Sequence, residues 1–297
     1  MATWQAIVGG ATYNLSDRAP FDVVTVTGVG SAPVRRLSQR GPLQHGETDI
    51  GFRLDPRSIN LVLAFAPATL ALADAARDTL ARIFGPRQSI PVQLRYTRDD
   101  AAVRQLDCYA VGMVDMPVTE EDRIGVLQRV AVQLQASAPA WYDPEQKSLR
   151  VAGSIAGTPS SVPLAMPWVV GGASVAGSYA VSYMGTFDEY PIIVVTGPIT
   201  DPVITNTTTG DALSFVGTTI ANGDSYTIDL RYGFKTVTDS GGTNRIAKLT
   251  TSSALATWRL ASLLETSDGN NGISISGTGA GAATTVRILY SNRYLSL

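Results

Sequence analysis

The chain has 297 residues, enough for two domains that each bury a core. Its 23 Lys/Arg and 25 Asp/Glu leave a net charge of −2, divided evenly: residues 1–147 hold 15 and 16 of them, and residues 148–297 hold 8 and 9. That balance presents no basic face and excludes a nucleic-acid partner held by phosphate neutralisation, and the single cysteine, Cys108, excludes an internal disulfide framework.

Residues 4–8, 12–15 and 21–27 read as short strands separated by Gly9-Gly10 and Gly28-Val29-Gly30. The N-terminus lacks the basic start and apolar core of a secretory signal, which points to a protein made in the cytoplasm. Residues 31–48 are polar and carry Arg35, Arg36 and Arg40, so they read as a loop or arm with a task of its own. Residues 49–54 and 59–65 are strand-like, the second apolar on both faces as in a fully covered strand. One helix follows over 69–84. Thr69 caps it, Leu70, Ala73, Ala76, Leu80 and Ile83 or Phe84 share a face, Asp78 and Arg82 lie opposite, and Gly85-Pro86 ends it. The most apolar run, 61–73, is interrupted by Pro67 and is too short to span a membrane, so membrane insertion is not expected.

Beyond the helix, 90–96, 104–114 and 124–136 read as strands. Val130, Val132, Leu134 and Ala136 alternate with polar or small neighbours, so one face is buried and one is wet. Cys108 alternates with Leu106 and Ala110, which makes it a buried thiol. A small antiparallel barrel or curled sheet with one helix packed on it is the economical arrangement for residues 1–147. Composition shifts after Pro144, and 148–178, rich in Gly, Ala, Ser and Pro, reads as a linker or extension. From 179 to 297 short strands recur with turns at 209–211, 222–224, 240–242 and 270–272, the pattern of a two-layer antiparallel β-sandwich. The fold class is mainly β.

Residues for catalysis are scarce. His45 is the only histidine and sits in a Gly/Pro-rich polar loop, which excludes a His-built metal site and leaves no triad. Neighbouring carboxylates at Asp99-Asp100, Glu120-Glu121-Asp122 and Asp188-Glu189 lie between strands and read as turn-solvating residues rather than a glycosidase pair. Gly277, Gly279 and Gly281 precede a strand rather than a helix, so they form a hairpin and not a dinucleotide loop. Asn14 and Asn206 match the glycosylation acceptor pattern, which chance explains in so Thr-rich a chain. Neither an enzyme nor a cofactor or metal is expected. Trp258 is the candidate for stacking on a sugar ring, with Tyr232 and Tyr290 as companions, against a plain core role.

Two groups of residues resemble a known family. Ala136-Ser-Ala-Pro139-Ala-Trp141-Tyr142-Asp143-Pro144 closes a half that carries the strand pair from Asp49 and the helix after it. In the second half, residues 191–198 lead to 202–206, then 223–229, then Trp258-Arg259-Leu260 and Tyr290-Ser-Asn-Arg293-Tyr294-Leu295. This ordered set resembles the distal tail protein of siphophages over nearly the whole chain. The resemblance implies an N-terminal split β-barrel with one helix and a protruding hairpin, and a C-terminal galectin-like β-sandwich. It implies a structural virion protein at the tail tip, assembled in the host cytoplasm as a homo-hexameric ring. The ring joins the tail tube protein to the tail-tip hub protein and supports peripheral or receptor-binding proteins. Arg35, Arg36, Arg40, Arg98 and Arg104 are the expected contacts of a clasp onto the neighbouring copy. Galectins bind sugar through a histidine, which this second half lacks, and Ala261 to Asp268 is an extra turn. A carbohydrate-binding sandwich module of a tail or secreted protein is the alternative reading.

Overall fold

The computed structural model describes residues 2–16, 20–86, 89–112, 114–116, 123–124, 126–152 and 175–297. Glu120, Glu121 and Asp122, and most of the 148–178 segment, fall outside the described residues. The chain divides into two compact units, Met1–Pro144 with Tyr294–Leu297, and Glu145–Arg293.

In the first unit the elements run Thr3–Val8 (β1), Ala11–Asn14 (β2), Asp22–Thr27 (β3), Val34–Gln39 (β4), Thr48–Leu54 (β5), Arg57–Phe65 (β6), Leu70–Phe84 (α1), Val92–Thr97 (β7), Val103–Ala110 (β8), Arg123–Ile124 (β9), Leu127–Ala136 (β10) and Trp141–Tyr142 (β11). The main sheet is antiparallel in the order β2-β1-β7-β8-β10-β6-β3, with β11 on β8 and β9 on β10. Strand β8 meets β10 at its end, through Leu134 opposite Ala110 and Gln135 opposite Tyr109, and the chain after it stays on β10 through Val111 N–H to Gln133 O and the Asp115–Ala131 bridge. By contrast β10 and β6 pair along their length, from Gln128 opposite Phe65 to Ala136 opposite Arg57. The alternation read in β10 is complete: every second residue from Gln128 to Ala136 is buried.

Helix α1 starts as its sequence dictates, with Leu72 N–H donating to Thr69 Oγ1 at 3.3 Å. Ala73, Ala76, Leu80, Ile83 and Phe84 are buried in the same cluster as Ile59, Leu61, Leu63 and Phe65 of β6. Leu70, expected on that face, is instead 57% exposed, because the first helical turn overhangs the core and the buried stripe begins with Ala73. Strand β6 also differs from expectation. Its inward residues Arg57, Ile59, Leu61, Leu63 and Phe65 are buried, whereas Ser58 and Asn60 face out, so only one side is fully covered.

The second unit contains Lys147–Ala152 (β12), Val175–Ser182 (β13), Ile192–Thr196 (β14), Ile199–Asn206 (β15), Ala212–Ser214 (β16), Thr219–Ile220 (β17), Ser225–Asp229 (β18), Thr236–Asp239 (β19), Asn270–Thr278 (β20) and Thr285–Tyr290 (β21). Two antiparallel sheets, β12-β21-β14-β18-β19 and β13-β20-β15-β16 with β17 on β15, bury one shared core that includes Val181, Ile193, Ile204, Ile228, Ile275 and Ile288. The two ends of the 148–178 segment are strands. β12 pairs along β21 and β13 along β20, partners that lie 88 to 143 residues downstream and leave no local signal.

Candidate assembly surface

Residues 34–54 contain a two-stranded ribbon, β4 against β5, which forms a sheet of its own. Its second strand is the one read at 49–54, whereas β4 lies in the polar stretch read as an arm and was hidden because both its faces are wet and no alternation marks it. A register shift between Leu37 and Ser38 inserts a bulge at Ile50, and the extended Gly51 beside it, at φ 146°, takes a conformation that suits glycine. Arg36 Nη1 donates to Asp49 Oδ2 at 2.9 Å, Ser38 bonds Glu47, and Arg35 Nε lies 3.4 Å from Asp55. All are solvent-facing and contribute little to holding the strands together. The ribbon exposes Val34, Ile50 and Phe52, and Leu43 stands fully exposed at its tip. An isolated hairpin is marginal in water, and one carrying exposed branched and aromatic side chains is built to be covered.

The arginines separate into two groups. Arg35 and Arg36 lie on the ribbon with 70% of each side chain exposed, and Arg40 donates to the Gln44 carbonyl at 3.3 Å near its tip. Arg98 lies in the turn between β7 and β8, 3.6 Å from Asp100. Arg104 is spoken for within its own chain. Its guanidinium stacks 3.9 Å over the Tyr294 ring and donates to the Ser296 carbonyl, so it fastens residues 294–297 within the chain.

A second fastener is Arg57, which sequence reasoning missed because a strand-edge arginine looks like a solvated one. Its side chain is buried against Trp141, 5.9 Å from that ring. Nε donates to Pro139 O at 2.9 Å, and Nη1 donates to Gly28 O at 2.9 Å and also to Gly30 O. Burial lowers its pKa, yet the charge is retained because the intrinsic value is so high. The Trp141-Tyr142-Asp143 motif thereby acquires a role: Trp141 backs Arg57, the Tyr142 hydroxyl donates to Asp107 Oδ1 at 2.7 Å, and Asp143 Oδ2 accepts from the Tyr294 hydroxyl at 3.3 Å. An open apolar groove of about 500 Å³ beside α1, lined by Phe21, Pro67, Leu72 and Ala76 among others, adds to the uncovered surface of this unit.

The residues weighed for chemistry stay apart. His45 is exposed near the ribbon tip, and Asp99 and Asp100 are exposed in the turn after β7. Asp188 and Glu189 do not solvate a turn: Asp188 Oδ2 lies 2.7 Å from Arg259 Nε, and Glu189, 4% exposed, bonds Arg293. Burial raises the pKa of both carboxyls, and the paired arginines oppose that rise. Trp258 is fully buried in the second core, so no sugar reaches its ring. Tyr290 is nearly buried and donates to the Ser182 carbonyl, whereas Tyr232 is 68% exposed. Among the described residues no three His, Cys, Asp or Glu side chains converge as a metal site would require, and no helix is long and apolar enough to cross a membrane.

Comparison with known proteins agrees with this geometry. Residues 8–134, which span the main sheet, the ribbon and α1, match the family model described as phage tail protein RIFT-related domain. The Dit protein (gp 19.1) of phage SPP1, described as a paradigm of hub adsorption apparatus in phages infecting Gram-positive hosts, superposes with a TM-score of 0.64 at 12% identity, covering 98% of each chain. A chain of the phage P2 baseplate in its activated conformation with calcium gives 0.50 at 8% identity, and one from the strontium form gives 0.50 at 9%, each covering both chains fully. No curated protein matches the sequence. Residues 8–134 thus match the model of the phage tail protein RIFT-related domain, and the chain has, over its whole length, the fold of the SPP1 Dit protein.

Proposed function

We propose that the protein is a structural, non-enzymatic component of the tail baseplate: a distal tail ring of six copies that joins the tail tube protein to the tail-tip hub protein. The first unit builds the ring and the second supports peripheral or receptor-binding proteins. The assembly forms in the host cytoplasm and resides at the virion tail tip. The observation that carries this reading is the β4–β5 ribbon, an arm with exposed Val34, Ile50 and Phe52 on a domain of phage-tail type. In a ring each arm meets a different patch on the next copy, a heterologous contact that closes on itself. Arg35 and Arg53 stand directly opposite on the ribbon, with Asp55 of the same chain beside Arg35.

Light scattering on the full chain tests this. The expected mass is six protomers, and Phe52→Asp with Ile50→Asp is expected to return it to one protomer without lowering the unfolding temperature. A single-protomer mass at every concentration, indifferent to that double substitution, removes the reading.

A further inference from the structure

The second unit carries an aromatic turn that the ring does not explain. Between β18 and β19, residues 231–235 run Arg-Tyr-Gly-Phe-Lys. Phe234 N–H donates to Arg231 O at 3.2 Å, Gly233 takes φ 84°, and Lys235, unusually for a side-chain-bearing residue, takes φ 47°. Both ends are pinned. Arg231 donates to both carboxylate oxygens of Asp229, at 3.0 Å from Nε and 2.6 Å from the terminal nitrogen, and Lys235 Nζ donates to Ala256 O at 3.0 Å. The two side chains that the turn holds out, Tyr232 and Phe234, are 68% and 57% exposed.

Each ring already has a cation against it. Arg231 lies 4.6 Å from the Phe234 centroid, and Lys235 lies 5.5 Å from that of Tyr232 and 4.1 Å from that of Tyr190. Tyr190 packs at 4.6 Å against Tyr232. With these partners in place both rings are still more than half open to solvent. Their attitude is fixed before anything binds, so a ligand would lose little in ordering them. Beside Tyr190, Arg259 joins Asp188 and Glu265, at 2.7 and 2.8 Å.

The charge pattern selects the ligand. Arg231 is neutralised by Asp229, and Arg259 by Asp188 and Glu265, while Lys235 is turned onto a carbonyl. No net charge is left to attract an anion or cation. What remains is a pair of flat apolar faces edged with hydroxyl, carboxylate and guanidinium groups. A β-linked glucopyranosyl unit matches that surface, because its equatorial hydroxyls point to the edge and its axial C–H bonds make each face apolar.

We propose that the Tyr232–Phe234 turn is a carbohydrate site that stacks neutral β-linked glucopyranosyl units on its two exposed rings, with Tyr190, Arg259 and Asp188 at its polar edge. The proposal is independent of ring assembly. Saturation-transfer NMR of the full chain with cellohexaose tests it. The expected result is transfer concentrated on the axial ring protons, with Tyr232→Ala and Phe234→Ala each weakening binding by about tenfold, the scale of one aromatic contact. Tyr232→Phe, which keeps the ring, is expected to retain binding, and unchanged unfolding temperatures show that the variants are folded. Absence of transfer at millimolar cellohexaose, or transfer that survives the double alanine change, overturns the proposal. So does a fall in oligomer mass on Tyr232→Ala, which makes the turn a protein contact instead.

Discussion

The Arg57 guanidinium donates a 2.7 Å hydrogen bond to the carbonyl of Leu295, a residue 238 positions further along the chain. That bond completes a set of four carbonyl partners for one buried cation. Pro139, Gly28, Gly30 and Leu295 come from three separate stretches of the first unit, and their carbonyls would all lose a charged donor together if the cation were removed. Arg57→Met, close in shape but without donors, is expected to destabilise the first unit by about 3 kcal/mol, since charged hydrogen bonds are lost and buried carbonyls are left unpaired. Deleting residues 294–297 is expected to lower the same transition, by less than Arg57→Met does. Differential scanning calorimetry resolves both effects, and an unchanged first-unit transition in either variant would contradict the role assigned to Arg57.

Cys108 is buried beside Leu106 in β8, and that burial, with the charge of Asp107 adding to it, pushes its thiol up to about 12. The thiolate is therefore scarce at pH 8 and also inaccessible. Iodoacetamide at pH 8 is expected to leave the native chain unmodified and to label it fully in denaturant. Labelling of the native form on the time scale of the unfolded control would mean that this strand opens.

Asp229 gives the second unit an acid-sensitive contact. Burial alone would raise its pKa, but hydrogen bonds from the Arg231 side chain and backbone, with the charges of Arg231 and Lys235, bring it below the ordinary value. A carboxyl with a depressed folded pKa contributes stability that is fully present above the unfolded value of about 4 and is lost as pH falls through the folded one. The unfolding temperature of the second unit is expected to decline below about pH 4, with a smaller decline in Asp229→Asn. Parallel pH profiles for the two proteins would exclude the contribution.

Glu189 and Arg293 form the buried ion pair of the second unit, with side chains 6% and 26% exposed. Arg293→Ala strands a buried carboxylate and is expected to cost about 3 kcal/mol, whereas the joint change to Gln and Met is expected to recover most of it. Urea unfolding of the three proteins measures the coupling, and additive losses would show that the two side chains act separately.

Much of this architecture was legible because its cores repeat. Strand β10 buries every second residue and α1 every third or fourth, and Thr69 and Gly85-Pro86 mark the helix ends. Strand β4 was not, since a strand wet on both faces carries no period, although its partner β5 was read at 49–54. Arg57, Glu189 and Arg293 were illegible for a different reason. A charged residue reads as solvent-facing unless its partner is known, and these partners lie 27 to 238 residues away. Trp258 illustrates the converse: a large ring next to an arginine fits an exposed platform or a core equally well in sequence, and only the packing of the sandwich decides.

The return of Tyr294–Leu297 to the first unit sets an order of events during synthesis. The Arg57 network cannot close until every residue of the second unit has left the ribosome, which at about 5–20 residues per second is a delay of many seconds. During that interval the second unit folds while the first remains one strand segment short. The first unit is thus withheld from its finished form until Leu295 has been made, and a chain that stalls earlier lacks the bond that Arg57 makes to it.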